Sequence, residues 1–245
     1  MREVELLSLN KQSNTMTEAL RELRTNIGFC GDDIKTILFT SALPNEGKST
    51  VVIDFARSLD ESGKSVLVID SDMRKSVLIG RHRAKAKDGE PIKGLSHFLA
   101  GLSKLDEVVY KTQLKQMHII FSGPRVLNPT ELLEKKYYSG LIHAIREKFD
   151  YVLIDCAPLG AAIDAAVIAK ECDGAVIVVA QSEATSKMVL NVRRQLENSG
   201  VRILGAVLNK VDMKKANYYG KYYGGYYGKY YGKYYSEYYN DVDEE

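Results

Sequence analysis

The sequence holds few of the features that classify a chain at a glance. Its three cysteines, Cys30, Cys156 and Cys172, are widely spaced and include no C-x-x-C pair. That argues against a disulfide framework or a zinc site and fits reduced core residues in a cytoplasmic compartment. The formal charge is +2 over 245 residues, so bulk electrostatics favour neither nucleic acid nor a lipid surface as partner. The opening stretch MREVELLSLNKQSN has no apolar signal core, and no run approaches the ~18 apolar residues of a spanning helix. The four histidines, His82, His97, His118 and His143, show no ligand spacing to one another. Work at a membrane would therefore require something else to hold the protein there.

What the chain does have is 45% hydrophobic residues, enough for one sizeable core. Short β-branched runs alternate with longer amphipathic stretches. The strand candidates are 35–40 (KTILFT), 65–70 (SVLVID), 117–122 (MHIIFS), 151–156 (YVLIDC), 175–180 (AVIVVA) and 201–209 (VRILGAVLN). Helices are expected over 48–61, 131–148, 161–170 and 185–198. This alternation predicts an α/β fold, with a mostly parallel central sheet flanked by helices on both faces.

Before the first of these strands, TMTEALRELRTNI reads as a helix with Thr15 as N-cap and Glu18 completing a capping box. Met16, Leu20, Leu23 and Ile27 repeat at helical spacing and are expected to face the core, with Glu18, Arg21 and Arg24 outward. The polar stretch 81–91, broken by Gly89 and Pro91, reads as a surface loop. Tyr110, Tyr137, Tyr138 and Tyr151 fall in predicted ordered structure and read as packing residues. The division is an N-terminal segment with its helix over 1–34, the α/β domain over 35–212 and a tail over 213–245.

The tail is different material. A Tyr-Tyr pair recurs six times at four-residue spacing: Tyr218, Tyr219, Tyr222, Tyr223, Tyr226, Tyr227, Tyr230, Tyr231, Tyr234, Tyr235, Tyr238 and Tyr239. Gly at 220, 224, 228 and 232 would cost a helix roughly 1 kcal/mol each relative to Ala, and would interrupt a strand. Disorder is the sequence-based expectation for it.

After the strand at 35–40 comes ALPNEGKST, which matches the phosphate-binding pattern G-x-x-x-x-G-K-[ST] except that Ala42 replaces the first Gly. Such chemistry needs backbone N–H groups converging on phosphate at a helix N-terminus, an amine for the β and γ phosphates and a hydroxyl for Mg²⁺. Gly47, Lys48 and Ser49 supply these, within a loop running from Asn45 and Glu46 to Thr50. Two further strands end in acids: Asp70 and Asp72 in VLVIDSDMR, and Asp155 in YVLIDCAP. An isolated acid of this kind would be a strand-end cap. At the carboxyl edge of a parallel sheet that also carries a phosphate loop, metal or catalytic duty is expected.

The trio ALPNEGKST, VLVIDSDMR and YVLIDCAP resembles the Walker A, Walker A′ and Walker B set of the P-loop bacterial tyrosine kinases of capsule and exopolysaccharide synthesis. EALRELR is similar to that family's E-x-x-R-x-x-R helix, and KGLSHFLAG, SGPRVLNPTELL and the tyrosine cluster match its other segments. Ser76 stands where the family usually has Pro, and Asp155-Cys156-Ala157-Pro158 where it has D-[ST]-P-P. The resemblance implies an ATP- and Mg²⁺-dependent kinase acting on its own tail tyrosines. It places Lys48 on the phosphates, Ser49, Asp72 and Asp155 on the metal, Asp70 as base for the phenol, and Asn209 near the adenine. It also implies a ring of subunits closed through Glu18, Arg21 and Arg24, and a split form with a separate transmembrane adaptor of the polysaccharide chain-length type. A protein-tyrosine phosphatase and other protein substrates are further implied partners, nucleic acid is not, and the site of work is the inner face of the membrane.

Two alternatives stay open at this stage. LNKVD (209–212 with Leu208) matches the guanine-reading [NT]-K-x-D of SIMIBI-type GTPases. The Tyr/Gly/Lys tail could instead belong to a scaffold or RNA-binding protein. The partitioning and septum-positioning ATPases, which share the scaffold, carry a second lysine where Leu43 stands here.

Overall fold

The strand and helix alternation read from the sequence is present in the computed structural model, which describes residues 1–9 and 12–212. The tail and all twelve acceptor tyrosines proposed on it lie outside the described residues. The strands are β1 (Arg2–Leu6), β2 (Thr36–Ser41), β3 (Val66–Asp70), β4 (Ala84–Ala86), β5 (Val109–Lys111), β6 (Met117–Ile120), β7 (Tyr151–Asp155), β8 (Gly174–Ala180) and β9 (Ile203–Asn209). The helices are α1 (Asn14–Gly28), α2 (Lys48–Glu61), α3 (Leu78–His82), α4 (Leu95–Leu99), α5 (Leu105–Val108), α6 (Pro129–Leu133), α7 (Lys136–Arg146), α8 (Asp164–Ala169) and α9 (Ser186–Asn198). Residues 1–209 form one compact unit.

Among the described residues the sheet runs β4-β1-β5-β6-β3-β7-β2-β8-β9. From β6 to β9 every neighbouring pair is parallel. Both faces of the central strands are buried, which is why they read as continuous apolar runs. In β2, Ile37 and Phe39 face the side where Leu20, Ile27, Phe55 and Leu59 of α1 and α2 pack. Leu38 faces the opposite side, with Leu141, Ile168 and Leu196 of α7, α8 and α9.

Several expectations need correction. The helix α1 is capped by Ser13, whose side chain accepts from the Met16 N–H, rather than by Thr15. Leu20 and Ile27 are buried, but Met16 is 40% exposed. The 131–148 helix is two helices, with Lys135 extended between them at ψ 150. Leu133 and Tyr138 are both buried in one cluster. Five residues apart on a continuous helix they would point about 140° from each other, and the break brings both inward.

The stretch 81–91 is not simply a loop: its centre forms β4, antiparallel to β1. Arg2 clasps Asp88 with two hydrogen bonds, Nε to Oδ2 at 2.7 Å and Nη2 to Oδ1 at 2.8 Å. The short, charged β1 carried too weak an apolar alternation to be read as a strand, so its partner was missed with it. Tyr110 and Tyr138 are fully buried packing residues, whereas Tyr137 is 53% exposed and is not.

Candidate active site

Adjacent parallel strands deliver the chemical groups to one sheet edge. Asp155 at the end of β7 is level with Phe39 of β2 on one side and with Asp70 of β3 on the other. The loop after β2 leads into α2, whose N-cap is Gly47 at φ 90. A Cβ at Gly47 would lie 2.1 Å from Asn209 Nδ2, so both the backbone conformation and the close approach require glycine. Asn45 at φ 66 makes the other left-handed step in the loop, a conformation Asn tolerates better than most residues.

The loop is braced from beneath. Glu46 is fully buried, and its carboxylate accepts the Leu43 N–H at 2.7 Å and the Ala180 N–H at 3.1 Å. Asn209 Nδ2 donates to the Glu46 carbonyl at 2.9 Å. Glu46 and Asn209 thus shape the cradle with their side chains. Arg81 Nη1 donates to Thr50 Oγ1 at 2.7 Å, tying α3 to the first turn of α2.

Lys48 is buried and lines a pocket with Ser49, Asp72, Arg74, Arg81 and Pro158. Asp72 Oδ1 accepts the N–H groups of Arg74 at 3.2 Å and Lys75 at 2.9 Å, which tightens the turn after β3. Asp70 is fully buried. Its Oδ1 accepts the Asp72 N–H at 3.2 Å, and its Oδ2 accepts the hydroxyl of Ser76. Burial, reinforced by the Asp155 charge, pushes the Asp70 carboxyl well above the ordinary carboxylate range. Burial also raises Asp155, partly offset by the Lys48 ammonium and a hydrogen bond from Ser49.

Asp155 Oδ1 is buried and has no hydrogen-bond partner. An orphaned carboxylate oxygen beside the Ser49 hydroxyl, with Ser49 and Asp72 lining the pocket, is a hard oxygen-donor set that suits Mg²⁺. Among the described residues no three His, Cys, Asp or Glu side chains converge as a ready-made metal group. Two carboxylates and a hydroxyl, completed by phosphate and water, would hold the ion.

Arg74 escaped the sequence reading. Its guanidinium grips Asp164 through Nε at 2.6 Å and Nη2 at 2.9 Å, and Nη2 reaches Thr130 Oγ1 at 3.2 Å. The basic residue after D-x-D was visible, but its acidic partner lies 90 residues on and nothing local marks it. On α1, Glu18 and Arg21 form an exposed pair at 2.6 Å. Arg24 instead turns inward and donates to the Ser58 carbonyl at 2.6 Å, so the three do not share one solvent face.

A phosphate loop capping α2, with paired carboxylates on neighbouring parallel strands, defines a P-loop nucleotide-binding α/β protein. A family model described as an AAA domain matches residues 34–203. The chain is 38% identical over 216 residues to the tyrosine-protein kinase CpsD of Streptococcus agalactiae, covering 86% of this chain and 93% of that protein. It is 31% identical over 217 residues to the tyrosine-protein kinase YwqD of Bacillus subtilis, covering 88% and 90%. The kinase domain of the Escherichia coli tyrosine kinase ETK superposes with a TM-score of 0.74 at 30% identity, over 80% of this chain and 75% of that one. The chain belongs to the bacterial tyrosine-protein kinases.

Proposed function

We propose that this kinase transfers the γ-phosphoryl group of ATP to its own C-terminal tyrosines, between subunits of a ring, and so regulates capsular or extracellular polysaccharide synthesis and export. The observation that carries the reading is Asp155: level with Asp70, beside Ser49, with one buried oxygen left unpartnered.

The backbone of residues 45–50 receives the phosphates at the α2 N-terminus and Lys48 reaches the β and γ groups. Ser49, Asp72 and Asp155 would hold Mg²⁺, which when bound would neutralise charge on the transferring phosphoryl group. Asp70 takes the phenol proton; the tyrosine oxygen bonds to Pγ, and the electron pair of the breaking Pγ–O bond leaves with ADP. A raised proton affinity suits that role near neutral pH. Each carboxylate oxygen has two acceptor positions, so the Ser76 bond leaves one for the phenol proton. Because Asp70 is fully buried, admitting a phenol requires the turn at 71–76 to move.

Among the described residues no helix is long and apolar enough to cross a membrane. In this reading, as the family resemblance implies, a separate transmembrane adaptor holds the kinase at the inner face of the membrane. A random-coil segment of about 30 residues spans about 30 Å r.m.s., with a contour limit near ~100 Å, a reach sufficient for the site of a neighbouring subunit. Each phosphate adds about 1.5 to 2 negative charges, so extensive modification would repel the tails and loosen the ring, resetting it for a phosphatase.

The test is incubation of the purified protein with ATP and Mg²⁺, alone and with the cytoplasmic peptide of a candidate adaptor, followed by phosphopeptide mapping. Phosphotyrosine confined to 218–239 and lost in Lys48→Met supports the reading; unmodified tail tyrosines overturn it. Asn209 is committed to the Glu46 carbonyl, and a titration that shows GTP preferred over ATP would overturn the choice of nucleotide.

A further inference from the structure

The pocket holds four cationic side chains, Lys48, Arg74, Lys75 and Arg81. Arg74 differs from the rest in how it is held. Its bidentate partner Asp164, the first residue of α8, is only 1% exposed, while the Arg74 side chain remains 38% exposed. Thr130, at the start of α6, completes the clamp by donating to Asp164 Oδ1 at 2.6 Å. Burial raises the proton affinity of Asp164, but the hydrogen bonds from Arg74 and Thr130 outweigh it and keep the carboxyl below its ordinary range. The charge on the clamp is therefore secure near neutral pH.

Three segments meet here: the turn carrying Asp72, the start of α6, and the helix that follows the loop after Asp155. A free arginine loses several rotatable bonds on engaging a phosphate. A planar guanidinium already fixed through Nε and Nη2 has lost them in folding, and keeps Nη1 for a second anion. The phosphoryl group in flight spreads charge over three equatorial oxygens, and a fixed cation stabilises that charge more than it stabilises bound ATP. Arg81 lines the same pocket but is tied to a neutral hydroxyl, Thr50 Oγ1, whereas Arg74 is fixed by a buried carboxylate.

Building on the kinase reading above, we propose that Arg74 is a further catalytic residue that contacts the transferring phosphoryl group in the same subunit, and that Asp164 and Thr130 are its positioning residues. The clamp makes the fork geometry, and not merely the positive charge, the functional property. Arg74→Lys keeps the charge and loses the fork.

The test pairs kinetics with calorimetry on the full chain. Single-turnover phosphotransfer in Arg74→Lys should fall by about 10²-fold, the scale of losing one preorganised donor, with ATP affinity within about threefold of wild type, since the contact strengthens only in the transition state. Binding of Mg·ADP with aluminium fluoride should weaken in parallel with the rate while Mg·ADP alone does not. Asp164→Asn and Thr130→Val should show the same split more mildly, and Arg74→Lys/Asp164→Asn should be no slower than Arg74→Lys. Equal loss of ADP and ADP–aluminium fluoride affinity, or an unchanged rate in folded Arg74→Lys, would overturn the proposal. Should Asp164→Asn fail to fold, Arg74→Lys alone decides it. An active wild type with an indifferent Arg74→Lys sinks this proposal and leaves the kinase reading standing; an inactive wild type sinks both.

Discussion

Asp70 and Asp155 are register partners on adjacent parallel strands, and both are buried. Burial raises the proton affinity of both carboxyls, and the Asp155 charge raises that of Asp70 further. Their folded-state affinities exceed those in the unfolded chain, so the folded protein binds more protons across the interval between. Stability is therefore fully present below the unfolded carboxylate range and is lost as pH rises through the raised values. Asp155→Asn should flatten that dependence and stabilise the nucleotide-free protein by about 1–2 kcal/mol near pH 7.5, while abolishing phosphotransfer. Chemical denaturation as a function of pH, beside a phosphotyrosine assay, checks both halves.

Asn209 holds the phosphate loop by one hydrogen bond to the Glu46 carbonyl. Its replacement by Ala should cost about 1 kcal/mol of that bracing, read as roughly fivefold weaker ATP binding in a titration. If Asn209 read a guanine base instead, GTP affinity would fall and ATP affinity would not.

Gly160 packs on Ala42, the residue that replaces the first glycine of the phosphate-loop pattern. A Cβ at 160 would sit 2.1 Å from the Ala42 carbonyl oxygen, and that atom is backbone with little room to yield. Gly160→Ala should destabilise the protein by about 1–3 kcal/mol and weaken nucleotide binding as the loop shifts. Thermal melts with and without ATP separate the two effects.

Arg21 and Arg24 should part company. Arg24 donates to the Ser58 carbonyl and hydroxyl, so Arg24→Ala should lower monomer stability by about 1 kcal/mol. Arg21 makes only an exposed pair with Glu18, worth a few tenths of a kcal/mol. Arg21→Glu should leave the melt unchanged and, if α1 closes a ring, convert the oligomer to monomer in size-exclusion chromatography. An unchanged elution volume would rule out that interface.

Much of the architecture was legible because the physics is local. The central strands carry apolar runs that only a sheet buried on both faces demands, and α2 and α9 follow the 3.6-residue period with Thr185 capping α9. What was missed was short or charged: β1 and β4 stabilise each other by pairing and by the Arg2–Asp88 clasp, across more than 80 residues. The break between α6 and α7 carries no Gly or Pro, and follows from the burial of Leu133 and Tyr138.

The sequence by itself determined the phosphate loop, the strand-end acids and the family, because a backbone cradle with one lysine and one serine can be spelled in nine consecutive residues. Only the tertiary structure decided how these parts are poised. It set Asp155 level with Asp70, turned Glu46 and Asn209 into braces for the loop, placed the Ser76 hydroxyl on Asp70 and bound Arg74 to Asp164. Burial and charge coupling depend on which segments meet, and residues distant in the chain acquire their proton affinities and orientations only when the sheet brings their strands to one edge.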